Sequence, residues 1–423
     1  MSTAELITLT DAELIRFFSA IFLLLISAHS FGYLFQKFKM PRAIGEIVGG
    51  LVLGPTFLDL FSSKAYEWSF DQSEGKLIAV IYYLGLVLLM FISGFEIEKS
   101  FNKTDIKLIK AILIGATAIS FIAGWLVPYF FDFSQFLGPN GNMLVLKIII
   151  GIAVAVTSIP VISKIFIDLK IIQTGFAKII LAVATIEDII LWIALAIVTG
   201  LVSAGFLSLT QILISVVVTV VFFGISLLVM PKLFNFGNNI RYNLLIKSSP
   251  LGYILLICFL FASIASILKV NIIFGAFLAG IIVGMMPQDK FDSVKMHIKE
   301  VSLAFFIPIY FAVVGLKLDL THQFDIMFFS GFLLFAILFK TSGTLLAVRL
   351  INKDWLSCFN FAVAMNTRGG PGIVLATIVF DMGIINERFF AVLVMVAIVT
   401  SLMAGWWFKY VLSKGWPLMK LDS

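Results

Sequence analysis

The chain has 423 residues, of which 61% are hydrophobic and 13% charged, with a formal net charge of +6 and a mean hydropathy of +1.10. Soluble domains are about 45–50% apolar and about 25% charged, so this composition excludes an ordinary water-soluble protein and predicts a polytopic membrane protein. The net charge is small for this length and does not indicate a nucleic-acid partner. Cys258 and Cys358 both lie in apolar stretches, and no disulfide framework is predicted.

Long apolar stretches follow one another along the chain. A helix needs about 20 residues to cross about 30 Å of hydrocarbon, and thirteen stretches approach or exceed that length. The sequence therefore predicts an all-α membrane protein, and its N-terminus, which lacks a basic region and an A-x-A site, is expected not to be a cleaved signal peptide. The predicted spans are 14–35, 43–60, 77–95, 106–131, 143–167, 175–201, 208–235, 250–268, 270–286, 297–316, 326–351, 355–380 and 388–413.

The distribution of basic residues indicates how these spans are oriented. If the N-terminus is outside, nineteen Lys and Arg residues fall on inside segments and six on outside segments. Cytoplasmic loops carry an excess of Lys and Arg. The pattern therefore predicts thirteen crossings with the N-terminus outside and the C-terminus in the cytoplasm.

The thirteen spans divide into six, one linker helix and six, so the second half runs inverted relative to the first. Span 143–167 then corresponds to span 355–380, and both are interrupted, by T-S-I-P at 157–160 and by N-T-R-G-G-P-G at 366–372. Proline breaks or kinks a helix because it lacks an N–H and clashes with the preceding turn. Matching interruptions in two halves indicate a midplane site in a secondary transporter, whereas two ordinary kinks are the alternative. The residues assigned to the breaks are Pro160, Gly369, Gly370 and Pro371.

Four ionisable residues fall near the centre of apolar spans. They are Glu187, Asp188, Lys340 and Arg368. A charge at this depth costs about 2.5–3.5 kcal/mol on insertion scales, so each is expected to have a partner or a function. Asp188 is predicted to bind the proton and the cation in turn, because burial favours the neutral form of a carboxyl group and lets protons compete with a cation. A structural acid paired with a base is the alternative.

Glu187 is also assigned to the ion-binding residues. It directly precedes Asp188, so its side chain points about 100° away from that of Asp188 around the helix. We expect it to pair with Lys340 or Arg368 more than to bind the ion outright. Arg368 is expected to neutralise free carbonyls at the helix break or a neighbouring acid.

Three polar residues complete the predicted site. Thr157 and Ser158 offer hydroxyls and, where the helix unwinds, free carbonyls, and such oxygen atoms are suitable ligands for Na⁺ or K⁺. Glu46 lies early in the second span and is assigned, with Lys340 and Arg368, to a charge network. In this network Glu46 would pair with an internal base. The alternative is that Glu46 lies at the membrane interface.

Further motifs accompany the T-S pair at 157–158 and the E-D pair at 187–188. They are M-P-R-A-I-G-E-I at 40–47, L-G-P at 53–55, L-G-L-V-L-L-M at 84–90, S-G-F-E at 93–96, F-A-V-V-G-L-K-L-D at 311–319 and M-N-T-R-G-G at 365–370. With these motifs the whole sequence resembles the cation:proton antiporter superfamily, in the branch of Kef-like and NapA-like sodium/proton and potassium/proton exchangers. In the better-known branches of the superfamily the acidic pair is Asp-Asp, Asn-Asp or Gln-Asp, so the Glu-Asp pair is a departure, and the stoichiometry stays open.

The resemblance implies a homodimer in which a core domain moves against a scaffold and two unwound helices cross within the core. It also places Lys340 where electrogenic members have a lysine opposite the acidic pair. No G-x-G-x-x-G motif follows a strand, so no nucleotide-binding gating domain is expected. The resemblance implies a transmembrane domain at 1–413 and a short cytoplasmic tail at 414–423. Within the transmembrane domain, the scaffold would comprise 14–95 and 250–316, the core 106–201 and 326–413, and the linker helix 208–235.

These features predict a secondary active antiporter that exchanges protons for Na⁺ or K⁺ across a prokaryotic-type inner membrane, with no cofactor, nucleotide or nucleic acid. A cation-coupled symporter of a small organic solute on the same fold is the first alternative. An intramembrane aspartyl protease needs two acids on different helices, whereas Glu187 and Asp188 are adjacent on one, so no enzymatic activity is expected. A channel would lack saturable, proton-coupled flux.

Overall fold

The computed structural model describes residues 10–38, 40–70, 72–96, 106–203, 209–232, 243–286, 288–351 and 354–420. Helices account for most of these residues. Within them the β-structure is limited to one isolated antiparallel bridge between Leu137 and Ile385. The prediction of an all-α protein is confirmed.

The helices are numbered here in chain order. The first are α1 (Asp11–Lys37), α2 (Arg42–Leu53), α3 (Ser63–Ser69), α4 (Gln72–Phe95), α5 (Ile106–Tyr129), α6 (Met143–Ala155) and α7 (Ile159–Asp168). They are followed by α8 (Gly175–Ser203), α9 (Leu209–Leu228), α10 (Leu244–Ser248), α11 (Pro250–Ile267), α12 (Ile272–Gly284) and α13 (Gln288–Val301). The last are α14 (Ile307–Leu316), α15 (Ile326–Arg349), α16 (Trp355–Met365), α17 (Gly369–Asp381) and α18 (Glu387–Ser413).

All thirteen predicted spans contain helix in the part of the chain that the structure describes. Within that part, nine helical segments are long and apolar enough to cross a membrane, and Val216–Lys232 and Ile272–Gly284 are shorter apolar helices. The span at 355–380 is divided between two short helices, α16 and α17. The polytopic membrane fold is confirmed, whereas the count of thirteen crossings stays a prediction.

The helices form two compact units. The described residues of the first unit fall within Met1–Phe38, Arg42–Leu88 and Glu300–His322, and those of the second within Lys39–Pro41, Leu89–Lys299 and Gln323–Ser423. The two units are groupings by contact. The functional division into a scaffold and a moving core stays a prediction.

In the first unit, α2 and α14 cross at backbone contact. A methyl group added at Gly50 would lie 1.8 Å from the carbonyl oxygen of Ala312, and one added at Gly315 would lie 1.9 Å from that of Ile47. Only glycine fits at both positions. Such close crossings through small residues are typical of helix packing in membranes.

Four phenylalanine rings pack together within the second unit. Phe166 of α7, Phe176 of α8, Phe361 of α16 and Phe408 of α18 are buried, with ring centroids 4.8–5.8 Å apart. At these spacings the rings pack in tilted and edge-to-face arrangements. The cluster holds α7, which begins at the first helix break, and α16, which ends at the second, against α8.

Two loops of this unit are joined by backbone hydrogen bonds. The N–H of Gly138 donates to the carbonyl of Ile384 at 3.0 Å, and the N–H of Asn140 donates to that of Gly383 at 2.8 Å. Gly383 has φ +69°, a conformation that glycine adopts without strain. The contact ties the loop that enters α6 to the turn that leaves α17.

Candidate ion-binding site at two crossed, broken helices

The first break lies between α6 and α7. The helix stops at Ala155, and Val156 turns the chain with ψ 140°. Ser158 then caps α7, because its Oγ accepts a hydrogen bond from the N–H of Val161 at 3.3 Å. Pro160 lies in the first turn of α7, where a missing N–H costs nothing. The predicted interruption is confirmed.

The second break lies between α16 and α17. Helix α16 ends at Met365, and α17 begins at Gly369, which has φ +31°. A Cβ at Gly369 would lie 2.3 Å from Cγ2 of Val161 and 2.8 Å from Oγ of Ser158. Glycine is therefore required where this break approaches the start of α7. Gly370 and Pro371 follow in the first turn of α17.

The two breaks contact each other directly. The N–H of Ser158 donates to the carbonyl of Thr367 at 2.5 Å, and Oγ1 of Thr157 donates to the carbonyl of Met365 at 2.8 Å. The backbone groups that the unwound segments leave unpaired therefore satisfy one another in part, as buried polar groups must. The crossing of the two broken helices is confirmed.

Arg368 closes the free end of α6. Its Nε donates to the carbonyl of Ala153 at 3.3 Å, and its Nη2 donates to that of Val154 at 3.1 Å and to that of Ala336, on α15, at 2.9 Å. Its Nη1 turns back to the carbonyl and side chain of Asn366 at 3.2 and 3.3 Å. The guanidinium thus neutralises carbonyl ends, which is one of the two predicted possibilities.

Lys340 completes the same cap from α15. Its Nζ donates to the carbonyl of Ala155, to Oγ1 of Thr157 at 2.7 Å and to Oε1 of Glu187 at 2.8 Å. The ammonium group has three donors, so these three acceptors use all of them. A helix end carries partial negative charge on its free carbonyls. Two buried cations, Lys340 and Arg368, therefore share the broken end of α6.

The carboxylate of Glu187 is bonded on one side only. Its Oε1 accepts from Lys340 and from Oγ1 of Thr117, on α5, at 3.1 Å. Its Oε2 is buried without a hydrogen-bond partner among the described residues. The predicted pairing with a buried base occurs with Lys340 rather than by direct contact with Arg368.

Asp188, the residue after Glu187 on α8, lies beside a small apolar pocket. Its side chain is 1% exposed, and its Oδ1 has no hydrogen-bond partner within the described parts of the chain. Burial of an unsatisfied carboxylate oxygen is costly, and a bound proton or cation would relieve that cost. The pocket is lined by Ile152, Val156, Asp188, Leu191, Trp192, Leu195, Pro371 and Leu375.

Glu46 belongs to a separate cluster in the first unit. It is 4% exposed, and its Oε1 accepts from Nε of Arg42 at 2.8 Å. Nη2 of Arg42 also lies 2.7 Å from Nδ1 of His29, and Nε2 of His29 lies 3.0 Å from the carbonyl of Ala304. The base beside Glu46 is thus Arg42, four residues before it on the same helix, and a role of Glu46 in the ion-coupled charge network stays a prediction.

Sequence reasoning missed several residues of this site. Thr117 bonds to Glu187, and Ser401 accepts from the N–H of Gly369 at 3.1 Å. Asn366 donates to Oγ1 of Thr341 at 2.9 Å. Hydroxyl and amide residues in apolar helices usually bond within their own helix, so nothing in the sequence separates these from the others. The position of Asn366 inside the interrupted segment was the one available signal.

This arrangement defines a class of protein: an all-helical membrane protein with buried charges at two crossed, broken helices. The sequence profile of the sodium/hydrogen exchanger transmembrane family matches residues 21–414, and the chain belongs to this family.

Relatives agree with this assignment. The chain is 30% identical over 384 residues to K(+)/H(+) antiporter 1 of Saccharomyces cerevisiae, a match that covers 87% of this chain but 43% of the yeast protein. It is 25% identical over 387 residues to the Na(+)/H(+) antiporter NhaS4 of Synechocystis, a match that covers 89% of this chain and 92% of that protein. The chain thus spans less than half the length of the yeast relative.

A solved structure supports the fold. The sodium proton antiporter MjNhaP1 from Methanocaldococcus jannaschii, determined at pH 8, aligns with a TM-score of 0.66 at 16% sequence identity. The alignment covers 95% of this chain and 99% of that structure. The two proteins therefore share their fold.

Proposed function

We propose that this chain is a secondary active antiporter that exchanges protons for Na⁺ or K⁺ across a membrane. One observation carries the proposal: Asp188 is a fully buried carboxylate beside two crossed helix breaks, and its Oδ1 lacks a partner among the described residues. Family membership supports it, as do relatives named K(+)/H(+) and Na(+)/H(+) antiporters. These findings favour antiport over the alternative of cation-coupled symport.

Competition for one carboxylate explains exchange. A proton neutralises the buried carboxylate of Asp188, and a monovalent cation balances its charge, so the two bind in turn. The hydroxyls of Thr157 and Ser158 and the carbonyls of the unwound segments are candidate oxygen ligands. Two oppositely charged groups, Lys340 and Glu187, balance each other next to the site. Arg368 is bonded to the carbonyls of Ala153 and Val154, so the carboxylate of Asp188, whose Oδ1 has no hydrogen-bond partner among the described residues, stays available to the cation.

The burial of Asp188 also couples the release of one ion to the uptake of the other. If Asp188 released its proton without taking up a cation, a buried carboxylate oxygen without a direct partner would be left, which is unfavourable. The empty, ionised state is therefore poorly populated. A carrier that crosses the membrane only when loaded with a proton or a cation exchanges the two instead of leaking either one.

The wider organisation follows the same proposal. The core at 106–201 and 326–413 would move against a scaffold at 14–95 and 250–316 within a homodimer, with 208–235 as the linker. The N-terminus would lie outside and the C-terminus in the cytoplasm of a prokaryotic-type inner membrane. The excess of Lys and Arg on the predicted inner segments supports this orientation.

Transport in proteoliposomes tests the proposal. With a pH gradient imposed, addition of Na⁺ or K⁺ should release protons through the wild-type protein, and Asp188→Asn should abolish this exchange while the protein still folds. Asp168→Asn is the matched control, because Asp168 is a partly exposed acid on α7 paired with Lys164. Near-normal exchange by the Asp188→Asn variant would refute the assignment of the site.

A further inference from the structure

The two donors to Glu187 act on the same oxygen atom. Lys340 Nζ lies 2.8 Å and Thr117 Oγ1 lies 3.1 Å from Oε1, whereas Oε2 has no partner in the described residues. An ionised carboxylate can accept hydrogen bonds on either oxygen, so the positions of the two donors determine that both bonds go to Oε1. Both donors together define the orientation of the carboxylate.

The helices that carry these donors are in backbone contact. A Cβ at Gly115 of α5 would lie 2.3 Å from the carbonyl oxygen of Gly343, and a Cβ at Gly343 of α15 would lie 2.3 Å from that of Gly115. Gly115 is two residues from Thr117, and Gly343 is three residues from Lys340. The distance between the two donors is therefore fixed by the crossing of α5 and α15, while α8 supplies the acceptor.

Thr117 also lies in an irregular part of α5. Residues Leu113–Ile119 form a π-helical turn. Such turns are rare in proteins overall, but those that occur are often at functional sites. The Thr117 side chain is 7% exposed, so its hydroxyl bonds to Glu187 in an interior of low dielectric. A hydrogen bond to a charged group is stronger there than in water.

We propose that Thr117 is a positioning residue that holds the carboxylate of Glu187 against Lys340. The hydroxyl donates to the ionised carboxylate, and hydrogen bonds to charged groups are stronger than those between neutral groups. Without this donor, the carboxylate of Glu187 can turn away from Lys340, and Lys340 then competes with the cation for Asp188. This inference rests on the proposed function and adds to it: Thr117 keeps Lys340 paired with Glu187, so that the carboxylate of Asp188 stays available to the cation.

Three variants separate the hydroxyl from the shape of the side chain. Thr117→Val replaces the hydroxyl by a methyl group, and Thr117→Ser keeps the hydroxyl. Thr185→Val is the matched control, because Thr185 lies on α8 two residues from Glu187, is 6% exposed and donates to the carbonyl of Leu181 in its own helix at 2.8 Å.

The first readout is the dependence of exchange in proteoliposomes on cation concentration. Thr117→Val should raise the cation concentration for half-maximal exchange by about tenfold, the equivalent of one hydrogen bond to a charged group, while the maximal rate changes much less. Thr117→Ser and Thr185→Val should keep the wild-type value. An unchanged half-maximal concentration in Thr117→Val, or the same increase in Thr185→Val, would overturn the proposal.

The second readout does not depend on transport. At pH 8, Thr117→Val should lower the melting temperature of the purified protein by about 2–5 °C, and Thr117→Ser should stay close to the wild type. If the wild-type protein exchanges no cation, the proposed function fails, and this comparison still tests Thr117. An equal loss in Thr117→Ser would mean that the shape of the side chain matters, not its hydroxyl, and would refute the inference.

Discussion

Lys340 of α15 and Glu187 of α8 form an ion pair in which neither side chain is exposed, with 2.8 Å between Nζ and Oε1. Removal of one partner from a buried pair costs about 3–5 kcal/mol, because the other charge is left alone, whereas removal of both is often far less costly. We therefore expect Lys340→Gln and Glu187→Gln each to lower thermal stability. The double variant should recover part of the loss, with a favourable coupling in a double-mutant cycle.

The control for this cycle is an ion pair that remains in contact with solvent. Lys164 and Asp168 of α7 lie 2.5 Å apart, with side chains 37% and 25% exposed. Partly exposed pairs contribute about 0–1 kcal/mol, so Lys164→Gln and Asp168→Asn should show little coupling. Additive losses for Lys340 and Glu187 would mean that the two side chains do not stabilise each other.

Arg368 should not be replaceable by lysine. Its guanidinium donates to the carbonyls of Ala153, Val154 and Ala336, and a single ammonium group cannot reproduce that planar set of donors. Each buried acceptor left without a donor costs about 1–3 kcal/mol, so Arg368→Lys should lower the free energy of unfolding by at least about 2 kcal/mol.

Chemical or thermal unfolding in detergent measures this loss. Arg349→Lys is a suitable comparison, because Arg349 lies in the last turn of α15 with its guanidinium 4.5 Å above the ring of Trp355, a type of contact that contributes about 0.5–1 kcal/mol at exposed sites. A stable Arg368→Lys protein would show that the carbonyls find other donors.

The cap of α16 gives a pH-dependent prediction. The carboxylate of Asp354 accepts hydrogen bonds from Oγ and from the N–H of Ser357, at 2.7 and 2.9 Å. These two hydrogen bonds hold the pKa of Asp354 below its usual value. A lowered pKa stabilises the folded state above the unfolded pKa, and that contribution is lost as the pH falls through the folded pKa.

Asp354→Ala should therefore lower stability by about 1 kcal/mol at pH 7. The difference from the wild type should shrink below about pH 4, where the carboxylate becomes protonated. Asp354→Asn keeps a capping side chain and should show a smaller loss without this pH dependence. Melting temperatures measured between pH 3 and pH 8 would decide, and a loss independent of pH in Asp354→Ala would contradict the role of the charge.

Membrane orientation can be tested with single cysteines. Ser134, in the loop between α5 and α6, and Ser248, at the end of α10, are both exposed. In a background without Cys258 and Cys358, Ser134→Cys should react with an impermeant reagent from outside and Ser248→Cys from inside. Labelling of both from the same face would refute the thirteen-span topology.

The sequence predicts the two breaks and the buried charges well, and the reason is physical. Arg368 is rare in the middle of an apolar span because a charge is costly there, and Pro160 and Gly369 interrupt their spans at corresponding positions of the two halves, so the coincidence of the three is informative. The choice of partner is not predictable in this way. Whether Arg368 faces an acid or a helix end depends on how the two breaks cross, which no local pattern encodes.

Thr117 shows the limit most clearly. A threonine in an apolar helix normally bonds to its own backbone, and neither the π-helical turn of α5 nor its contact with α15 has a signal in the sequence. The pair of Arg42 and Glu46, by contrast, lies at i and i+4, the spacing that brings side chains together on a helix. That pairing was readable from the spacing alone.

The contact of α2 with α14 has a consequence for genetics. At Gly50 and Gly315 the nearest obstacles to a side chain are the carbonyl oxygens of Ala312 and Ile47, at 1.8 and 1.9 Å. When a larger residue is introduced, a second substitution that shortens a neighbouring side chain usually restores the space. No substitution can remove main-chain atoms. A selection for revertants of Gly50→Ala or Gly315→Ala should therefore recover same-site changes back to glycine, and second-site suppressors should be absent from the facing helix.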